Sequence, residues 1–223
     1  MRLIITFRSA QSIPLPINYH NILQGVIYRQ VEDREFARFL HDEGYTLDQR
    51  TFRLFTFSRL NGDIHIQPRQ KTVELDGIVT WQIGSADPRL LKELGNSLIR
   101  KGFIDLLSGQ LEIEEMTFLK PPEPSSPWII QMISPVTVHQ TIATADGRKR
   151  TQFYNPHDPL FAELIAQNAR RKYSAYHQTD CDMALSIRPH RVSDKDKVIT
   201  KYKQFVIVAW NGIYELSGDG ELL

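Results

Sequence analysis

Cysteine is nearly absent. Cys181 is the only one among 223 residues, so no disulfide can form within the chain. That usage fits a reducing compartment, and the cytoplasm is the expected location. There is no long apolar run either. The opening MRLIITFRS alternates like a strand and lacks a small-residue cleavage site, so it reads as neither a signal peptide nor a membrane span. The seven histidines are scattered, and no pair stands at zinc-ligand spacing with cysteine, so neither a metal nor another cofactor is expected. An excess of one charge is missing too. The net charge is +1, which by itself predicts no polyanionic partner. No low-complexity tract or strict repeat occurs.

What remains is an ordinary globular composition, 41% hydrophobic and 24% charged, with chain enough for one large domain or two small ones. A chain this long buries roughly 70% of its extended surface, so it needs no staple. The charge is unevenly spread. From Ala145 to Lys203 there are 12 Lys and Arg against 7 Asp and Glu, or +5, which leaves −4 for the rest. A basic segment in a neutral chain points either to a phosphate-rich partner or to a solvated face.

The proline-rich stretch KPPEPSSP, Lys120 to Pro127, divides the chain nearly in half. We place one domain at 1–120, a linker at 121–127 and a second domain at 128–223. In the first half, RLIITFR reads as a strand and Asn18 as the cap of a helix carrying Ile22, Leu23, Val26, Ile27 and Val31. A short helix from about Glu35 to His41 carries Phe36, Phe39 and Leu40, and Gly44 fits its stop. TFRLFTFS and KTVELDGIVTWQI read as strands, with a turn at Asn61–Asp63. Asp87 or Pro88 opens a helix with Leu90, Leu91, Leu94, Leu98 and Ile99, and GQLEIEEMTFL closes as a strand. This βαββαβ order is the ferredoxin-like arrangement, an α+β fold. The second half starts the same pattern. WIIQMISPVTVHQ is a strand, Pro156 to Asp158 opens a helix burying Leu160, Phe161, Leu164 and Ile165, and MALSIRP and QFVIVAWNGIYELSG are strands. A further helix and strand would complete a second copy, so the second domain is expected to be truncated at its C-terminus.

Four stretches carry a resemblance: LPINYHNILQGVIYRQV, FLHDEG, RTFRLFTFSRL and ISPVTV. Together they resemble the CRISPR-associated endoribonucleases that cut precursor CRISPR RNA within its repeats, members of the RAMP superfamily. The resemblance implies two tandem ferredoxin-like, RRM-related domains. It also implies metal-independent cleavage, in which a ribose 2′-OH attacks the adjacent phosphate and leaves a 2′,3′-cyclic phosphate. The implied partner is CRISPR repeat RNA, with other effector subunits or a second copy of the chain as further partners. Position by position, the family's tyrosine, histidine and basic residue fall on Tyr28, His41 and Arg53. Arg53 stands where many members have lysine, and the family's glycine-rich C-terminal loop does not occur before Leu223.

The chemistry gives those residue types a use. Self-cleavage of RNA needs a base for the 2′-OH, an acid for the 5′-oxygen and positive charge on the phosphorane. Histidine serves as acid and base near neutrality. At a helix end its cation gains roughly 0.3–1 kcal/mol from the dipole. Tyr28 would orient the 2′-OH or the phosphate, and Arg53 would bind a non-bridging oxygen in bidentate fashion. Each also has a plainer reading: His41 as a C-terminal helix cap, Tyr28 as packing, Arg53 as surface charge. His20 is either a second acid–base partner or part of a helix start. For RNA binding, Arg148, Lys149 and Arg150 form one group. A basic hairpin with Arg188, His190, Arg191, Lys195, Lys197, Lys201 and Lys203 forms the other. The rival readings are a non-catalytic RNA-binding subunit of the same superfamily and a ferredoxin-like interaction domain with no RNA role.

Overall fold

The computed structural model of the chain describes residues 1–143, 147–202 and 205–223. It divides into two compact units, Met1–Pro122 and Glu123–Leu223.

The first unit is built on a strand of 15 residues, β1 (Arg2–Pro16). Its odd positions Leu3, Ile5 and Phe7 are fully buried, so the period-2 alternation sets which face carries helices. The helix α1 (His20–Gln30) follows and buries Leu23, Val26 and Ile27. Asn18 does not cap it: the helix begins one residue later, after Tyr19, with no side-chain cap. Next come α2 (Arg34–Arg38), a π-helical turn (Phe39–Glu43) and the small hairpin β2 (Tyr45–Leu47) and β3 (Arg50–Phe52). The strands β4 (Phe55–Phe57), β5 (Asn61–Gln67) and β6 (Thr72–Ser85) follow. After them come α3 (Pro88–Lys101), β7 (Phe103–Leu106) and β8 (Gly109–Leu119). The sheet order is β4-β6-β1-β8-β7, with β5 also on β6, and every pairing is antiparallel. Apart from its added edge pieces, this is the ferredoxin-like order.

Two expected features move. Asn61–Asp63 lies inside β5, and the turn falls at Pro68–Lys71, where Lys71 N–H bonds Pro68 O. TFRLFTFS is broken at Leu54, whose φ is +53°, because the β2–β3 hairpin ends there before β4 starts. In α3, Asp87 caps the helix by accepting from Arg89 N at 2.8 Å. Leu90, Leu91, Leu94 and Leu98 are buried and Ile99 is exposed.

The second unit contains β9 (Trp128–Gln131), the hairpin β10 (His139–Ala143) and β11 (Lys149–Phe153), and α4 (Pro159–His177). It continues with β12 (Leu185–Arg191), the hairpin β13 (Lys197–Tyr202) and β14 (Phe205–Trp210), and β15 (Ile213–Gly218). The strands β12-β15-β9 form an antiparallel sheet, giving a βαββ portion of the same pattern. The core here is Val138, Phe161, Ile187 and Tyr214, with Leu164 and Ile165 packed beside it. Leu160 is exposed, against expectation, because its neighbour Phe161 takes the core-facing position in the first turn of α4. The long strand expected over QFVIVAWNGIYELSG is split at Asn211–Gly212. Similarly, WIIQMISPVTVHQ keeps only its ends as strand, and between them Val136 forms an isolated bridge with Trp210.

Candidate active site

The turn that carries His41 is held from both flanks. Asp33 caps α2 by accepting from Phe36 N at 3.0 Å and bonds the Arg89 guanidinium at 2.6 Å. Arg89 in turn lies 4.1 Å from the centroid of the Phe36 ring. On the other side Tyr45 donates its hydroxyl to Asp87, and its ring meets Phe39 edge-on at 5.1 Å. Both flanks are thus fastened at the N-terminal end of α3. Between them Phe39–Glu43 winds as a π turn, closed by Gly44 N–H donating to Phe39 O at 2.6 Å. Such turns are rare and concentrate at functional sites.

Gly44 has φ +72°, and a Cβ there would fall 2.1 Å from Arg53 Nη1 and 2.7 Å from Phe52 O. Glycine is required twice over, for its dihedral and for the space the guanidinium occupies. Arg53 donates from Nη1 to Glu43 O at 2.9 Å and from Nη2 to His41 O at 2.8 Å. These are the carbonyls a helix end leaves without partners. Arg53 therefore does the capping that the plainer reading gave to His41.

The His41 ring is left for other contacts, and its side chain is 66% exposed. Its Nδ1 lies 2.6 Å from Asp42 Oδ1. That contact, with smaller help from Arg38 and Arg53, holds the Asp42 carboxyl below the usual carboxylate range. With Nδ1 engaged, Nε2 is the nitrogen open to solvent chemistry. The Tyr28 ring meets the imidazole edge-on, with centroids 5.1 Å apart and planes at 78°. Tyr28 is half-buried, and among the described residues none hydrogen-bonds its hydroxyl. The structure thus brings Tyr28, His41 and Arg53 together, although Arg53 faces the main chain with two of its five donors.

His20 is not in that cluster. A row of rings connects them: Tyr28 to Phe55 at 5.9 Å, Phe55 to Phe57 at 6.5 Å, and Phe57 to His20 at 6.2 Å. Burial, then the positive charge of Arg59, pushes the His20 pKa below the ordinary imidazole value.

The expected RNA-binding residues lie in the second unit. Lys149 and Arg150 are exposed at the start of β11, beside Arg148. Arg188 is in an ion pair with Glu215, its cross-strand neighbour. His190 sits at an irregularity between Pro189 and Arg191, and both His190 and Arg191 are exposed. Lys195 is in the one-turn 3-10 helix Asp194–Asp196, and Lys197 lies 5.9 Å from the Trp210 ring. Lys201 is on β13, and Lys203 lies outside the described residues. Among the described residues no three His, Cys, Asp or Glu side chains cluster as a metal site would need, and no helix is long and apolar enough to cross a membrane.

Sequence reasoning missed the Arg53 clamp, the steric need for Gly44, and a cavity beside Asn211. The signal for the last was present: an Asn-Gly pair inside a β-rich run is a strong turn marker.

Comparison with known proteins finds several likenesses. The family described as CRISPR associated protein Cas6, C-terminal, matches residues 119–223. The CRISPR-associated endoribonuclease Cas6 1 of Methanocaldococcus jannaschii is 25% identical over 97% of this chain and 84% of its own length. Among solved structures, a Cas6-related protein from Pyrococcus furiosus superposes with a TM-score of 0.73 at 18% identity, covering 100% of this chain and 88% of that one. A RAMP protein binding different RNA substrates gives 0.73 at 17% identity, covering 100% and 90%.

Proposed function

From the match of residues 119–223 to the Cas6 C-terminal family and the 25% identity to a Cas6 endoribonuclease over nearly the whole chain, we propose that this chain is an endoribonuclease that cuts CRISPR repeat RNA without a metal ion. The observation that carries the reading is an imidazole 66% exposed on a turn whose carbonyls at residues 41 and 43 are held by Arg53, with a phenol ring 5.1 Å away. The ring is held in place yet has no structural duty of its own.

That placement supports the following reaction. The 2′-oxygen of one nucleotide forms a bond to its 3′-phosphorus while the bond from phosphorus to the next 5′-oxygen breaks. The products are a 2′,3′-cyclic phosphate and a 5′-OH. One proton leaves the 2′-OH and one must reach the 5′-oxygen. His41 Nε2 exchanges a proton at this centre, and Asp42 keeps the ring oriented through Nδ1. The Tyr28 hydroxyl is free to orient the 2′-OH or a phosphate oxygen. Arg53 first fixes the turn, and its remaining donors supply positive charge toward the phosphorane. The cations of the second unit, Lys149, Arg150, Lys195 and Lys197 among them, hold the RNA backbone.

Repeat RNA incubated in EDTA, with product ends mapped, tests this. Cleavage should persist and leave cyclic phosphate, and a deoxyribose 5′ of the cut should block it. Loss of cutting on chelation, or cutting of the deoxy substrate, would overturn the mechanism. One observation favours the rival binding-only role: two Arg53 donors are committed to the main chain. RNA bound tightly but never cut would establish that role instead.

A further inference from the structure

At one end of the second unit's sheet lies an open cavity of about 620 Å³. It is walled by the end of β9, the end of β12 and the turn from β14 to β15, and it belongs to none of the chemistry above. We propose that it is a pocket for one unpaired nucleobase of the RNA. The proposal rests on the reading of the chain as an RNA-processing protein and names a specificity element for it.

The walls are mixed in a way that suits a base. Met132, Val192 and Ile213 offer apolar surface, while Gln131, Asn211 and Arg191 bring two amides and a guanidinium. A base is a flat apolar ring with an edge of donors and acceptors, and amide side chains pair with such edges. The volume lies within the roughly 300–1,000 Å³ of small-molecule sites.

The polar side chains are also unspent. Among the described residues, none bonds the amides of Gln131 and Asn211 or the guanidinium of Arg191. The shape of the pocket is set by bonds to its main chain instead. Asn211 N donates to Asp196 O at 2.9 Å, Met132 N to Gly212 O at 3.0 Å, and Tyr214 Oη to Asn211 O at 3.2 Å. Gly212 has φ +112°, and a Cβ there would fall 2.9 Å from both Arg191 O and Val192 Cγ2. The walls are fixed before any ligand arrives, and side-chain donors and acceptors are left over.

Charge decides between a base and a phosphate as occupant. The acid of the lining, Asp196, is partly engaged in accepting from Ser193 N at 2.8 Å and Ser193 Oγ at 3.0 Å. Against the cation Arg191 it leaves the interior without net charge. Lys195 and Lys197 stand just outside on the adjoining turn and strand. The arrangement seats a neutral base inside and its phosphates at the rim.

The test uses the full chain with the four nucleoside 5′-monophosphates and inorganic phosphate, read by the side-chain amide signals of Gln131 and Asn211 in nuclear magnetic resonance. One nucleotide should move those signals more than the other three, and inorganic phosphate should not. In parallel, the double variant Gln131→Ala, Asn211→Ala should bind one of three short RNAs, oligo(A), oligo(C) or oligo(U), roughly tenfold more weakly than the parent does. Abasic versions of that RNA should bind both proteins alike. Circular dichroism checks that the variant is folded, which the main-chain origin of the walls favours. Identical responses to phosphate and to all nucleotides, or equal RNA affinity of the two proteins, would overturn the pocket. If RNA is still cleaved in that case, only the pocket falls. If the parent chain binds no RNA, both proposals fall.

Discussion

The two units spend their residues differently. Among the described residues the first gathers 25 buried hydrophobics into one cluster, the second four. A dense core can fix a side chain to a fraction of an ångström, because packed interiors deform little. The π turn rests on such a core through Phe36, Leu40 and Phe39. The second unit puts its sequence into cations, two hairpins and an open cavity. Proton transfer needs placement, whereas phosphate binding needs mainly charge, so under the proposed function chemistry falls to the first unit and grip to the second.

The sharpest way to break that comparison is to swap the readouts. His41→Ala should lower the cleavage rate by roughly 10²–10⁴ while leaving RNA affinity nearly unchanged. Lys197→Glu should do the opposite, weakening binding with little change in single-turnover rate at saturating protein. If His41→Ala lost only affinity, the division would be wrong.

Next come the cores. Phe161→Ala empties a fully buried ring from the small cluster and should cost about 3–5 kcal/mol. In hydrogen exchange, protection should vanish from β12 and β15 while β1 and β6 keep theirs. Leu91→Ala, in the larger cluster, should cost about 2–5 kcal/mol without selective loss. Uniform loss in both variants would mean the two cores unfold as one.

A smaller effect is expected at the clamp. Arg53→Lys keeps the charge but cannot reach two carbonyls in one plane, so the cleavage rate should fall roughly tenfold with folding intact. An unchanged rate would show that the turn holds itself.

The smallest effect is a titration. The Asp42 carboxyl should titrate below the ordinary aspartate range by carbon-detected magnetic resonance, and its pKa should rise toward that range in His41→Gln. Because the folded-state value is depressed, whatever this group adds to stability is present above the unfolded value and disappears as pH falls through the folded one. An Asp42 that titrates normally would remove the contact from solution.

Much of the first unit was legible because its signals are local and repeated. The alternation in β1 and the Leu90-Leu91-Leu94-Leu98 stripe with its Asp87 cap each predict an element without help from the rest. The boundaries that failed are those set by distant partners. TFRLFTFS has strand propensity throughout, yet Leu54 turns left-handed where a separate hairpin hands over to the main sheet. Tyr28 and His41 were identified through a resemblance, and their 5.1 Å approach depends on α1 packing beside the turn. The engagement of Arg53 with carbonyls could not be read from order alone, since any arginine there scores as surface charge.

The clamp has one practical consequence. Arg53 grips the peptide oxygens of residues 41 and 43, atoms that every amino acid shares. Position 41 can therefore be exchanged for glutamine, cysteine or lysine without removing what anchors the loop. A saturation library at that site would report what the side chain itself does instead of misfolding.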